Sequence, residues 1–103
     1  MRINEQVIEQ DIQAKGLTAP RLTPADIDAV IIGEAYHVFP DSTLTVCCLY
    51  LKNGYTVLGE SAAASKANFD AGIGRKIARD EARNKIWALE GYLLRQRLSE
   101  TNN

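Results

Sequence analysis

Apolar residues recur at three-to-four-residue spacing near the start of the chain, at Ile3, Val7, Ile8 and Ile12, and Gly16 follows as a C-cap. The spacing predicts a short amphipathic helix over Ile3 to Ala14. The linker Leu17 to Leu22 holds Pro20 and leads to Thr23-Pro24-Ala25-Asp26, where a capping threonine precedes a proline at the first helical position. A second short helix is expected to about Ile31, ended by Gly33. From Glu34 onward the period shortens to that of extended chain. Tyr36 to Phe39 reads as a first strand stopped by Pro40 and Asp41, Thr43 to Leu51 as a second, and Tyr55 to Ser61 as a third. Asn53-Gly54 between the last two predicts a tight hairpin of type I′, whose two central residues both take positive φ. Three antiparallel strands alone are too small to be stable, so helices must cover one face.

Ser65 is the expected N-cap of a long helix running to about Trp87, with Asp70 near the positive end of its dipole. Successive residues about 100° apart form three stripes. Phe69, Ile73 and Ile77 form a large apolar stripe, suited to burial against the sheet. Ala71, Gly74, Ala78 and Ala82 form a small-residue stripe, suited to close approach of another helix. Arg75, Arg79 and Arg83 form the third and face solvent, a ligand or a neighbouring subunit. A shorter final helix is expected over Leu89 to Leu98, weakened by Gly91, with Ser99 to Asn103 polar and frayed. The fold class is therefore α+β: a small antiparallel sheet of about three strands with a central Asn-Gly hairpin, packed with a long C-terminal helix, a shorter final helix and short N-terminal helices. Residues 1–103 make one domain.

The charge pattern adds one thing to this picture. The net charge is -1, which disfavours nucleic acid as a partner, but after residue 65 there are eight Lys or Arg and five Asp or Glu. An anionic partner is expected at that C-terminal third. With no signal-peptide core and no apolar run long enough to span a bilayer, a cytoplasmic protein without membrane contact is expected. Adjacent Cys47 and Cys48 have no metal-ligand spacing and on a strand point to opposite faces, which suits small buried hydrophobes.

Catalytic patterns fall short. Gly59-Glu60-Ser61-Ala62-Ala63 lacks the second glycine of a nucleophile elbow, and His37 is the only histidine, so no triad is marked out. Asp70-Ala71-Gly72-Ile73-Gly74-Arg75-Lys76 lacks the Lys-Ser/Thr pair of a phosphate-binding loop, and its glycines fit helix packing. No catalytic, cofactor or metal site is expected, and the protein is read as a non-enzyme. The arginine stripe remains. Three like charges at i, i+4 and i+8 repel on an isolated helix, so something anionic must face them. A surface ion-pair network with the acidic first two thirds is one reading, and a phosphate site is the other, since guanidinium groups grip phosphate oxygens with paired hydrogen bonds.

Tyr36-His37-Val38-Phe39-Pro40, Thr43 to Cys48, Asn68-Phe69-Asp70, Gly74 to Ala78 and Ile86 to Tyr92 together resemble a family of small phage and prophage accessory proteins. Some of its members are Thoeris anti-defence sponges, which sequester the cyclic ADP-ribose isomers made by bacterial TIR-domain immune enzymes. The resemblance covers about Thr23 to Leu98. It implies a homo-oligomer, in the cytoplasm of an infected bacterium, that binds a cyclic ADP-ribose isomer, or a cyclic oligonucleotide at subunit junctions, without turnover. Arg75, Arg79 and Arg83 would hold the phosphates, Phe39 would stack on the base, with Phe69 second to it, and Asn68 would hydrogen-bond base or ribose. The runner-up is an accessory protein that docks on a host protein through its helical face. Two departures bear on structure: Ala88 stands where family members often have proline, and Asp41 where they often have glycine.

Overall fold

A computed structural model describes residues 4–101, and the Ile3 start of the first helix and the last two asparagines lie outside them. The elements are α1 (Glu5–Ala14), α2 (Pro24–Ala29), β1 (Ile31–Val38), β2 (Leu44–Leu51), β3 (Thr56–Ala62), a 3-10 turn (Lys66–Asn68) and α3 (Ala71–Thr101). The expected α+β class holds. The strands form one antiparallel sheet in the order β1-β2-β3.

Capping chemistry fixes the short helices. Asn4 accepts from the Gln6 and Val7 amides to start α1. Gly16, at φ 65°, ends it: Gly16 N–H donates to Gln13 and Leu17 N–H to Ile12, the paired bonds of a Schellman turn that only a left-handed residue permits. Thr23 and Asp26 form a reciprocal capping box at α2. That helix stops at Ala29, earlier than expected, because Ile31 is already paired with Leu51 in the sheet. Gly33 lies inside β1 opposite Tyr50, next to a register shift that turns Ile32 out to solvent.

The hairpin differs in turn type. Gly54 is at φ 91° but Asn53 is not at positive φ, and Gly54 N–H donates to the Leu51 carbonyl. Lys52 and Asn53 are thus the centre of a turn closed by a left-handed glycine. This is the three-residue hairpin geometry rather than type I′, and it spares asparagine the strained conformation.

Three corrections concern α3. Ser65 caps only the 3-10 turn, accepting from Ala67 N–H, and the long helix starts after Asp70, whose carboxylate accepts from Ile73 N–H at 2.9 Å. The helix then runs unbroken to Thr101, through Ser99 to Glu100 and past Gly91, so the described residues hold no separate final helix. Glycine at 91 weakens a helix but keeps its N–H, and Ala88 lacks the ring that would break one. The third correction is the packing face. Gly74, Ala78, Ala82 and Ile86 are the buried residues of α3, whereas Ile73 and Ile77 are 58% and 52% exposed. The small-residue stripe lies on the sheet, not on another helix.

The contact explains why. Thr45, Cys47, Leu49 and Leu51 of β2 alternate toward α3 and are buried, with Val57 and Gly59 of β3 beside them. A Cβ at Gly59 would lie 2.0 Å from the Ala78 carbonyl oxygen and 2.4 Å from the Ala82 nitrogen, and one at Gly74 would lie 2.8 Å from Thr45 Oγ1. Helix and sheet approach so closely that large residues have no room there. Ile27, Leu49 and Ile86 are fully buried around this seam, each contributing about 2 kcal/mol. Lys85 Nζ donates to the Leu58 carbonyl on the open edge of β3, at 2.6 Å, and Glu81 accepts from Glu60 N–H.

Candidate functional site

The three arginines share one side of α3, and their surroundings differ. Glu34 lies on the helix-facing side of β1, opposite Leu49, and its carboxylate accepts from Arg79 Nε at 2.6 Å and from the Tyr36 hydroxyl at 3.0 Å. The Arg79 bond, then the Tyr36 bond, holds the Glu34 carboxyl below its usual range. Burial, then the same bond to Glu34, pushes the Tyr36 phenol up to about 12. Cys47, beneath the helix, is raised by burial.

Arg83 is more deeply committed. Its side chain is 13% exposed, its Nη1 binds both oxygens of Glu5, its Nε donates to Asp28 Oδ1 at 2.8 Å and its Nη2 to the Pro24 carbonyl at 3.3 Å. One guanidinium thus fastens α1 and α2 to α3. Burial works against its charge, and the bonds to Asp28 and Glu5 outweigh that, so its pKa lies above the ordinary guanidinium value. A second pair, Arg21 with both oxygens of Glu9 at 2.7 Å, holds α1 to the linker. Between α1 and α3 lies a cleft of about 900 Å³ lined by Ile8, Ile12, Leu22 and Trp87 among others. No residue of α1 is buried, so these ion pairs do much of the work of docking it.

Arg75 is exposed and has no ion pair among the described residues. It sits one helical turn, about 6 Å, closer to the start of α3 than Arg79, on the same side. That is the end of the molecule where the loop after β1 and the segment after β3 come together. Val38 pairs with Thr45, Leu44 with Ala62, and Thr43 Oγ1 donates to the Ala63 carbonyl at 2.6 Å, tying the two connections. Phe39 opens the first connection, 46% exposed, its ring edge-on to His37 at 4.6 Å between centroids. Asn68 ends the 3-10 turn in the second and is exposed, and Phe69 beside it is half-buried. The fold therefore brings Phe39, Asn68 and Arg75 to one end, Arg79 a turn further along, and Arg83 a turn beyond that on the same side, against α1 and α2.

The loop after β1 carries a strained residue. Asp41 has φ 58°, the left-handed region in which a side chain costs energy and glycine does not. Ser42 closes the turn, donating to the Phe39 carbonyl and accepting from Leu44 N–H. One buried polar atom is orphaned among the described residues: Thr45 Oγ1, directly under Gly74. Sequence reasoning did not single out Thr45 or Glu34; the parity of Glu34 with Tyr36 and Val38 along β1 was the signal that would have turned it toward α3.

The features define a small two-layer α+β protein with exposed Arg75, Asn68 and Phe39 all toward one end of the sheet, Arg75 on the helix layer and Phe39 against His37. The chain belongs to the Phage protein (N4 Gp49/phage Sf6 gene 66) family, whose profile matches residues 22–98. The matched stretch holds the sheet, α3 up to Leu98 and every candidate site residue, and leaves out α1. Searches of curated proteins and of solved structures returned no match. No helix among the described residues is long and apolar enough to cross a membrane.

Proposed function

We propose that this phage-family protein is an anti-defence sponge that binds a cyclic ADP-ribose-type signalling nucleotide, or a related cyclic oligonucleotide, and holds it intact in the cytoplasm of the infected cell. The observation that carries the reading is exposed Arg75, without an ion pair among the described residues, at the same end as exposed Phe39 and Asn68. A guanidinium can take a pyrophosphate oxygen pair, a phenyl ring can stack on adenine, and an amide can read a base or ribose edge. These groups bind without moving a proton. Arg79 joins the site by exchanging Glu34 for phosphate, a swap between two oxyanions of similar geometry. Arg83 contributes by positioning, since its guanidinium is already filled by Glu5, Asp28 and Pro24.

Calorimetry with cyclic ADP-ribose isomers and cyclic oligonucleotides tests this reading. Tight binding, a loss on Arg75→Ala, and recovery of unmodified ligand after heat denaturation are expected. No heat with any of these ligands would remove it.

A second reading has its own observation. Ile73 and Ile77 stand exposed on the outward side of α3, beside Lys76. Such a ridge suits docking on a host protein through the helical face, with Arg75 pairing an acidic group of the partner. A stoichiometric host protein retained by the wild type and lost on Ile77→Lys, with no nucleotide binding, would favour it.

A further inference from the structure

The sheet has two faces, and the described residues cover only one. α3 lies on the side of Thr45, Cys47, Leu49 and Leu51, and the molecule is 18 Å thick along its shortest axis, the depth of two layers. The other face is built by Ala35 and His37 of β1, Leu44, Val46, Cys48 and Tyr50 of β2, and Leu58, Glu60 and Ala62 of β3. Antiparallel sheets that meet water on one side alternate apolar-in with polar-out. β2 breaks that alternation, being apolar on both sides, with Cys47, Leu49 and Leu51 buried inward. Its outward residues are all apolar or aromatic, and the buried polar residue of the core, Thr45, points inward. Leu58 is 53% and Tyr50 44% exposed on this face. A strand composed for burial on both sides implies a second layer over the open one.

The register says what that layer is. Three cross-strand rows run over the face: Gly33, Tyr50, Thr56; Ala35, Cys48, Leu58; and His37, Val46, Glu60. Each row sets a small or basic residue on β1 against a larger or acidic one on β3. A two-fold axis laid along β2 places β1 of one copy over β3 of the other, at the same row. Ala35 then faces Leu58, Gly33 faces Thr56, and His37 faces Glu60, while Val46, Cys48 and Tyr50 meet their own counterparts on the axis. Small meets large, and the base meets the acid. Within one chain His37 and Glu60 stand two strands apart, about 10 Å, and neither makes an ion pair among the described residues.

We propose that two copies of this chain pair face to face through the open side of the sheet, about a two-fold axis along β2 that brings His37 of each copy to Glu60 of the other. Sheets packed this way sit about 10 Å apart and cross at about 30°, so the two rows around Val46 and Cys48, nearest the middle, keep their facing partners best. The face measures about 14 by 23 Å from strand spacing and rise, and with side-chain relief it buries on the order of 1,200 Å² over both copies, at the lower end of stable interfaces. The pairing does not depend on the nucleotide reading. It does place Phe39, two residues after His37 and packed on its ring, at the rim of the shared face.

Cys48 makes the test direct, because it lies on the axis while Cys47 is buried under α3. The wild-type protein, treated with a short bismaleimide at micromolar concentration, is expected to give a covalent dimer, retained in Cys47→Ser and lost in Cys48→Ser. Sedimentation is expected to show Leu58→Glu raising the dimer dissociation constant by about 100-fold or more, since each dimer would bury two carboxylates among apolar groups. Val7→Glu, on α1, is expected to leave it unchanged. Glu60→Lys weakens pairing and His37→Glu added to it restores it. Circular dichroism checks that each variant is folded. A monomeric wild type, or an oligomer that yields no Cys48 link and keeps its affinity in folded Leu58→Glu, overturns the proposal.

Discussion

Replacing Gly59 by alanine adds one carbon to the tightest contact in the fold. That carbon would start 2.0 Å from the Ala78 carbonyl oxygen and 2.4 Å from the Ala82 nitrogen, both helix backbone, which cannot turn aside as a side-chain tip can. Restoring an ordinary separation needs α3 to lift from β3 by roughly 1 Å or more, and a gap of that size forfeits a quarter to a half of each dispersion contact along it. The seam that opens includes Cys47, Leu49, Val57, Ala78, Ala82 and Ile86, all in the core. Overpacking commonly costs 1 to 3 kcal/mol, and a clash with backbone belongs at the upper end, so Gly59→Ala is expected to cost about 3 kcal/mol. For a chain of this size that lowers the melting temperature by roughly 12 to 24 °C. Urea denaturation followed by circular dichroism measures it. Gly91→Ala is the control: nothing lies within 4 Å of that Cβ, and removing a helix-interior glycine is expected to stabilise by about 1 kcal/mol. A Gly59→Ala cost below about 1 kcal/mol would refute the claim that the small-residue stripe is the seam between helix and sheet.

Asp41→Gly is expected to raise stability by about 1 kcal/mol, because residue 41 holds a left-handed backbone, and thermal denaturation checks it. Arg83→Ala should cost about 2 kcal/mol by stranding Glu5 and Asp28, with Arg83→Lys recovering part of it, since an ammonium cannot reach three acceptors in a plane. Acid should free α1. The Arg21 bond, then the Gln13 bond, holds Glu9 down from 4.5 to about 2; its folded-state value is below the unfolded one, so its contribution is present above pH 4.5 and is lost as pH falls toward 2. Protection factors of the α1 amides, which correct for the pH dependence of intrinsic exchange, are expected to fall across that window, and Glu9→Gln should lower them at neutral pH as well.

The elements were legible where local chemistry decides them. Thr23-Pro24 and Asp26 wrote the α2 capping box, Gly16 the end of α1, and Gly54 a turn between two strands. What was not legible is which stripe of a helix meets the sheet. Ile73 and Ile77 outweigh Ala78 and Ala82 in hydrophobicity, and one-dimensional periodicity ranks by that weight. The deciding residue is Gly59, on another element, whose missing side chain lets the helix backbone descend and selects the small stripe. The break between the last two helices failed for a related reason: Gly91 and Ala88 lower the tendency to continue without preventing it.

The arginine stripe was visible as spacing, and its two readings divided along it. Arg79 and Arg83 meet the carboxylates of Glu34, Glu5 and Asp28, the ion-pair network weighed as one alternative. Arg75 lacks such a partner among the described residues. Which acids meet which arginines depends on the pairing of β1 with β2 and on the path of α1, and neither is written in the spacing of α3. Phe39, Asn68 and Arg75 lie far apart in sequence and reach one end of the molecule only because two strand ends converge there.

Native mass spectrometry of the protein incubated with the product of a TIR-domain enzyme tests the functional claim most directly. The account predicts a mass shift equal to intact cyclic ADP-ribose isomer, retained through buffer exchange, absent in Arg75→Ala, and released unchanged on denaturation. Protein that stays at its apo mass, or that returns a hydrolysed nucleotide, would contradict it.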